Sequence, residues 1–430
     1  MSGDSPVSKG FDFIEQDPVR DEIRVRFGAG EIFHYYLDKI IEDQFKLNIH
    51  DKKITYSDLG EVVKGIMFDM KRAQIEGDLS GGPVAEFDKR KGEALSEFLS
   101  NGLRDYTLTF PLNLGLIQPD IDEISVLEGC FQPVDQDRWV KDYFGVAKAE
   151  DERFFTEFLE ISPNNFLDRT FAYFKIDYQA RSEGYALSRV QDLANLAIGE
   201  LNLCIHQNSR APPKPSSDTA LPYETWAALK EPGFYLVFED DEYLFPRPMD
   251  YGYRRYVKSS RQRKDDVADF YSLPELSEDD PVDTDLINAI LAYQDGLTEP
   301  SKRKAFFSFW RGLENLSQID SPKGEVKDRG RFALEHMRGR DTVLPTHERA
   351  HEQIDDVRNS LAHEGVHIHV GNEHRDYAKI LLDGMIELYL QKREEFNRED
   401  FDTFLKYGIE YQRSAGKIIS ILQQSGFGQS

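Results

Sequence analysis

Thr346-His347-Glu348-Arg349-Ala350-His351-Glu352-Gln353-Ile354-Asp355-Asp356-Val357-Arg358-Asn359-Ser360-Leu361-Ala362-His363-Glu364-Gly365 carries a helical period in a stretch otherwise crowded with charge. At 100° per residue, Ala350, Ile354, Val357 and Leu361 fall within about 60° of one another and make one apolar stripe. The spacing predicts an α-helix from about Thr346 to Glu364, with Gly365 as its left-handed terminator. Arg358 falls just off the stripe, and Asn359 and His363 lie one turn apart on the polar side. The three groups most able to do chemistry are therefore not consumed by the core.

On either side of this segment the pattern stays helical. Asp283 or Thr284 is placed to cap a helix over Asp285 to Tyr293. Glu299 to Ile319 forms a second, with Pro300 in its first turn, where a missing N–H costs nothing. Lys323 to Arg340, with six cations against three carboxylates, reads as a basic connection. Beyond Gly365 a further helix runs from about Glu373 to Phe396, and Asp400 to Gln424 supplies one or two more. Two antiparallel helical pairs, making an all-α bundle over 284–430, are the simple expectation.

The amino-terminal half alternates between periods. Glu31 to Phe45, Ser57 to Ile75, Val84 to Leu103 and Ala186 to His206 are spaced as helices. Tyr106 to Leu114 reads as one or two short strands, with Pro111 marking an edge or a break, and Phe171 to Tyr178 as another. Residues 1–207 are thus expected to be a mixed α/β sensing or substrate-selecting region. Residues 208–222, with four prolines and three serines, have a linker's composition. In 223–271, Phe234 to Phe238 and Tyr243 to Phe245 flank the acidic turn Glu239-Asp240-Asp241-Glu242, the pattern of a hairpin. The fold class expected is an α+β amino-terminal region followed by a helical bundle.

The chain has 430 residues and a net charge of −25, which disfavours broad, sequence-blind binding to nucleic acid. The excess acid is uneven. From Thr284 onward 20 Lys and Arg face 24 Asp and Glu, against 33 and 54 upstream. No apolar run approaches the length of a membrane span, and the amino terminus lacks the regions of a signal peptide. Cys130 and Cys204 have no metal-like spacing, so a cytoplasmic protein without cofactors is expected.

Arg358, Asn359 and His363 combine a permanent cation, an amide and a group that titrates near neutrality, the set that cleavage of a phosphodiester requires. Arg358-Asn359-Ser360-Leu361-Ala362-His363-Glu364-Gly365 resembles the Arg-x4-6-His signature of HEPN-domain ribonucleases, particularly the Apea-like branch, over roughly Thr284 to Phe396. The resemblance implies a dimer of helical bundles that cuts RNA without metal, by attack of a ribose 2′-OH on its own 3′-phosphate. His363 would then move the proton, Arg358 would hold the phosphate and Asn359 would position one of them. Glu314, on the second helix, would orient Arg358 or His363, as an acidic residue does in some relatives. A role in prokaryotic antiviral or toxin-like defence, with a protein or phage-derived trigger, is implied too. Gly365 stands where relatives controlled by nucleotidylation carry a tyrosine, which argues against that regulation here.

Other motifs compete. His347-Glu348-Arg349-Ala350-His351 matches the H-E-x-x-H zinc-protease pattern, but Arg349 lies inside it and no third ligand has a familiar spacing. Seven of the ten histidines lie between His336 and His374, and His367 is a further polar residue near the motif. Tyr251 to Lys264 interleaves aromatics with cations, making Arg254, Arg255 and Lys258 candidate RNA contacts. Arg329 and Arg331, in the basic connection, are two more. A non-catalytic RNA- or protein-binding and dimerising module is the main alternative to a nuclease, with zinc proteolysis a second.

Overall fold

In the computed structural model, Tyr106, Leu108, Phe110 and Leu112 are all buried along the strand Arg104–Leu112. Ala172–Ala180 is a second strand, continuously buried over Ala172, Tyr173 and Phe174 and then alternating, with Asp177 and Gln179 exposed, so the sheet is covered on both faces at one end of this strand and on one face at the other. The structure describes residues 5–17, 20, 22–79, 81–115, 123–161, 171–207, 226, 229–248, 260–261, 264–317, 325–339, 345–364 and 369–409. These strands belong to a six-stranded sheet in the order Ile124–Val126, Gly129–Val134, Ala172–Ala180, Arg104–Leu112, Phe234–Glu239, Glu242–Pro248. The first two pair antiparallel, with Ile124 opposite Phe131, and the second and third do likewise, with Gln132 opposite Lys175.

The expected hairpin is present. Asp240 and Asp241 both take left-handed backbone angles (φ 47° and 67°), which match a two-residue turn to the twist of its strands. Its strands form one edge of the large sheet instead of a sheet of their own. Pro111 lies within a central strand, and the break falls two residues later at Asn113.

Packing divides the chain into two compact units, one of residues 1–108, 177–191 and 236–245, the other of 109–176, 192–235 and 246–430. The first holds the helices Gly30–Gln44, Tyr56–Glu76 and Pro83–Ser100, at the positions their apolar spacing predicts. Thr55 and Asp58 close a reciprocal capping box at the start of Tyr56–Glu76, and Gly77 ends it at φ 84°. Phe33, Leu37, Ile40, Val63, Met67, Met70 and Phe87 form the core of these helices.

In the second unit, the carboxyl-terminal part of helix Glu183–His206 packs on the sheet through one face and on the bundle through another. A Cβ on Gly129 would come within 2.8 Å of a Leu193 methyl, and one on Gly199 within 2.8 Å of an Ile290 methyl, so the helix makes close approaches at both glycines. The side-chain amide of Asn202 accepts from the backbone N–H of Leu229 at 2.8 Å and donates to the Leu229 carbonyl at 2.8 Å. It also bonds Gln294 of the bundle.

Among the described residues, the bundle contains Pro281–Thr298, Lys302–Ser317, Val326–Arg338, Pro345–Glu364 and Asn372–Lys392, here called the first to fifth bundle helices. The first starts earlier than expected because Asp280 is the cap, accepting from Val282 and Asp283, with Pro281 in the first turn. The second begins after Pro300, not at it. The third occupies the segment expected as a basic connection. Its buried face includes Val326, Gly330, Ala333 and Leu334, too sparse a set to stand out among six cations. The fourth buries Ala350, Ile354, Val357 and Leu361, the predicted stripe.

The fifth helix packs against all four others, so the arrangement is a hub with surrounding helices and not two independent pairs. Gly384 makes its tightest approach, since a Cβ there would come within 2.6 Å of the Leu334 Cα. Residues 398–409 are also helical, with the Phe401 ring stacked on Tyr389 at 3.8 Å. The remainder of the helices expected up to Gln424 lies outside the described residues. Among the described residues, no helix is long and apolar enough to cross a membrane.

Candidate functional site

Arg358 leaves the fourth bundle helix just beside its buried stripe and reaches the second. Its Nε and Nη2 both donate to Glu314 Oε1, at 3.1 and 2.7 Å, while Nη1 donates to Asn359 Oδ1 at 3.2 Å. Trp310, one turn before Glu314 and almost wholly buried, donates its indole N–H to the same Oε1 at 2.8 Å. Three N–H groups thus converge on one carboxylate oxygen. Two of the expected companions of Arg358, Glu314 and Asn359, are brought to it.

A guanidinium has five N–H groups in a fixed plane. Among the described residues three find acceptors, leaving one on each terminal nitrogen. That pair forms an end-on fork suited to two oxygens of a phosphate. Arg358 is half-buried, with 23% of its side chain exposed, and Asn359 is exposed, so the fork borders solvent. His363 lies in the last turn of the same helix, four residues beyond Asn359. The helical backbone puts these two positions on one face; the His363 side chain, like His367, lies outside the described residues.

The cations expected to grip RNA are placed differently. Arg329 is buried, donating to the Ser317 carbonyl at 2.7 Å and pairing with Asp402 and Glu325. Arg331 makes two bonds of 2.7 Å to Glu348 and another to Glu335. Both fasten the third helix to its neighbours and are not presented to a ligand. Arg254, Arg255 and Lys258 lie outside the described residues.

The residues of the H-E-x-x-H pattern are engaged in packing. His351 contacts the Tyr377 hydroxyl through Nδ1 at 2.9 Å and Asp328 through Nε2 at 3.1 Å. His347 is buried and stacks on the Tyr377 ring. The bonds from Arg331 hold the Glu348 carboxyl below its ordinary range. Among the described residues, no group of three His, Cys, Asp or Glu is placed to hold a metal ion.

A second polar cluster was not legible in the sequence. Lys379 and Asp383 of the fifth helix are fully buried and paired at 2.9 Å. Lys379 also donates to the His206 carbonyl, and Arg338 to that of Gln207 at 3.0 Å. These bonds satisfy orphan carbonyls where helix Glu183–His206 ends. Burial lowers the Lys379 pKa and raises that of Asp383; burial, aided by nearby Lys379, also lowers that of His206 to about 3. The only sequence signal was the i,i+4 spacing of Lys379 and Asp383.

Comparison with protein-family models, with curated proteins and with solved structures finds no match to this chain.

Proposed function

We propose that the chain is a metal-independent endoribonuclease whose bundle is HEPN-like and whose site is built on Arg358, Glu314, Asn359 and His363. The observation that carries the proposal is the side-on clamp of Arg358 by Glu314, which among the described residues leaves one N–H on each terminal nitrogen for a phosphodiester. Trp310 holds Glu314, so the fork is fixed before substrate arrives and little ordering remains to be done on binding.

His363 acts as general base or acid in this proposal, taking the 2′-OH proton or protonating the 5′-oxygen as it leaves. Attack of the 2′-oxygen on phosphorus forms a 2′,3′-cyclic phosphate and releases a 5′-OH end. Arg358 binds the non-bridging oxygens and favours the charge that grows on them. A second copy of the chain completes the cleft in a homodimer, and the α/β region selects the RNA or senses a trigger. The biological setting inferred from the signature is cytoplasmic antiviral or toxin-like defence.

Purified protein is expected to cut RNA in EDTA and leave cyclic-phosphate ends. Arg358→Ala and His363→Ala should each abolish cutting while the helical circular dichroism persists. The neutralising ion pair at Arg358 favours one other reading, a binding and dimerisation module without catalysis. Wild-type protein that holds RNA and leaves it intact would decide for that reading.

A further inference from the structure

The second bundle helix, which carries Glu314, concentrates positive charge beside the Arg358 site. Residues 302–317 carry Lys302, Arg303, Lys304 and Arg311 against the single carboxylate of Glu314, in a chain whose net charge is −25. The buried face of this helix holds Ala305, Phe306, Phe309, Leu313 and Leu316. At 100° per residue, Arg303, Glu314 and Phe307 fall within about 40° of one another, beginning about 20° from the buried Trp310, and Lys304 and Arg311 complete an arc of about 100° turned away from the core. Arg303 and Phe307 are half-buried, and Lys304 and Arg311 are exposed.

We propose that this arc is a track for single-stranded RNA, on which Lys304 and Arg311 contact phosphates and Phe307 stacks a base beside the Arg358 site. The proposal rests on the nuclease reading of that site and extends it to the substrate's path. The arc ends at Glu314, whose carboxylate holds Arg358, so a strand lying along it runs directly onto the Arg358 fork. At 1.5 Å per residue, Lys304 lies roughly 15 Å from Glu314 along the helix axis, a span that more than one nucleotide can occupy.

Chemistry favours a nucleic-acid strand over an acidic protein. An aromatic ring between cations grips a ligand that alternates flat bases with negative charge, and a carboxylate-rich surface offers no base to stack. The Arg311 pair with Asp295, at 2.7 Å and with both side chains 59% exposed, is of the weak surface kind that a phosphate can displace. Phe307 is braced edge-on by Phe306, at 6.2 Å between ring centroids, which limits the freedom lost on stacking.

The test is fluorescence anisotropy of a short labelled single-stranded RNA, 2′-O-methylated so that it lacks the attacking hydroxyl, with the full chain across a salt series, alongside a gel readout of cleavage of the unmodified RNA in EDTA. Lys304→Gln combined with Arg311→Gln is expected to weaken binding about tenfold or more and to reduce the log–log salt slope by roughly 1.4. Phe307→Ala is expected to weaken binding about tenfold with the slope unchanged. Circular dichroism verifies folding, and Phe307→Trp should restore affinity. Affinity and slope equal to wild type in these variants, or no RNA affinity in the wild type, would overturn the track. Wild-type protein that binds through the track but leaves RNA uncut would retire the cleavage reading alone and leave the track standing.

Discussion

Lys379 and Asp383 lie one turn apart on the fifth bundle helix, bonded at 2.9 Å with neither side chain reaching water. Each is tolerated because the other is present. Lys379→Met alone leaves a buried carboxylate short of its nearest cation, and should cost about 3–5 kcal/mol. Lys379→Met with Asp383→Leu, which removes both charges, should recover most of that loss. Denaturant unfolding at neutral pH measures both, and a single variant as stable as the double would disprove the coupling.

Trp310 makes a finer test of the site than its charged members do. Trp310→Phe keeps a ring to stack on Phe306 but deletes the N–H that steadies Glu314. Cleavage is expected to slow about tenfold in kcat, equivalent to about 1.4 kcal/mol of activation free energy, with KM little changed. If RNA cleavage by this variant matches wild type, Glu314 needs no anchor.

Gly384 should tolerate no side chain. A Cβ there meets backbone atoms of Leu334 at 2.6 and 2.8 Å, and a helix backbone cannot swing aside as a side-chain tip can. Gly384→Ala is expected to destabilise by about 1–3 kcal/mol, despite alanine's better helix propensity. A thermal melt that moves upward would contradict the close approach.

Glu200 makes stability depend on pH. Burial lifts its pKa from 4.5 to about 8. The folded state therefore keeps a proton that the unfolded state has lost between these values. The contribution is fully present below pH 4.5 and disappears as pH rises through 8, with a slope of at most about 1.4 kcal/mol per pH unit. His206 acts in the opposite sense, its contribution being complete above pH 6.5 and lost as pH falls toward 3. Glu200→Gln should flatten the decline of the unfolding midpoint between pH 5 and pH 8, and an unaltered slope would show that another group controls it.

The fold was legible wherever a face was purely apolar. The stripe Ala350, Ile354, Val357 and Leu361 fixed one helix, and Asp240-Asp241 between apolar runs fixed the hairpin. It was obscure where polar groups are buried in pairs. The third helix, with Arg329 at its core, reads from sequence as a loop, because a charge satisfied by Asp402 and Glu325 looks the same on paper as one in water. The site divides along the same line. Periodicity placed Arg358 and Asn359 on accessible turns, but the contact with Glu314 spans 44 residues and the role of Trp310 depends on it. No local spacing could have announced either.

The bonds from Lys379 and Arg338 to the last carbonyls of helix Glu183–His206 bear on how this chain can be dissected. A fragment starting at Thr284 would lose those acceptors, the Asn202 partner of Gln294 and the contact of Ile290 with Gly199. It would open to water a seam evolved to be dry, with a lysine at its centre. The minimal autonomous piece should therefore begin upstream of that helix, and expression of the bundle alone should give aggregates instead of folded protein.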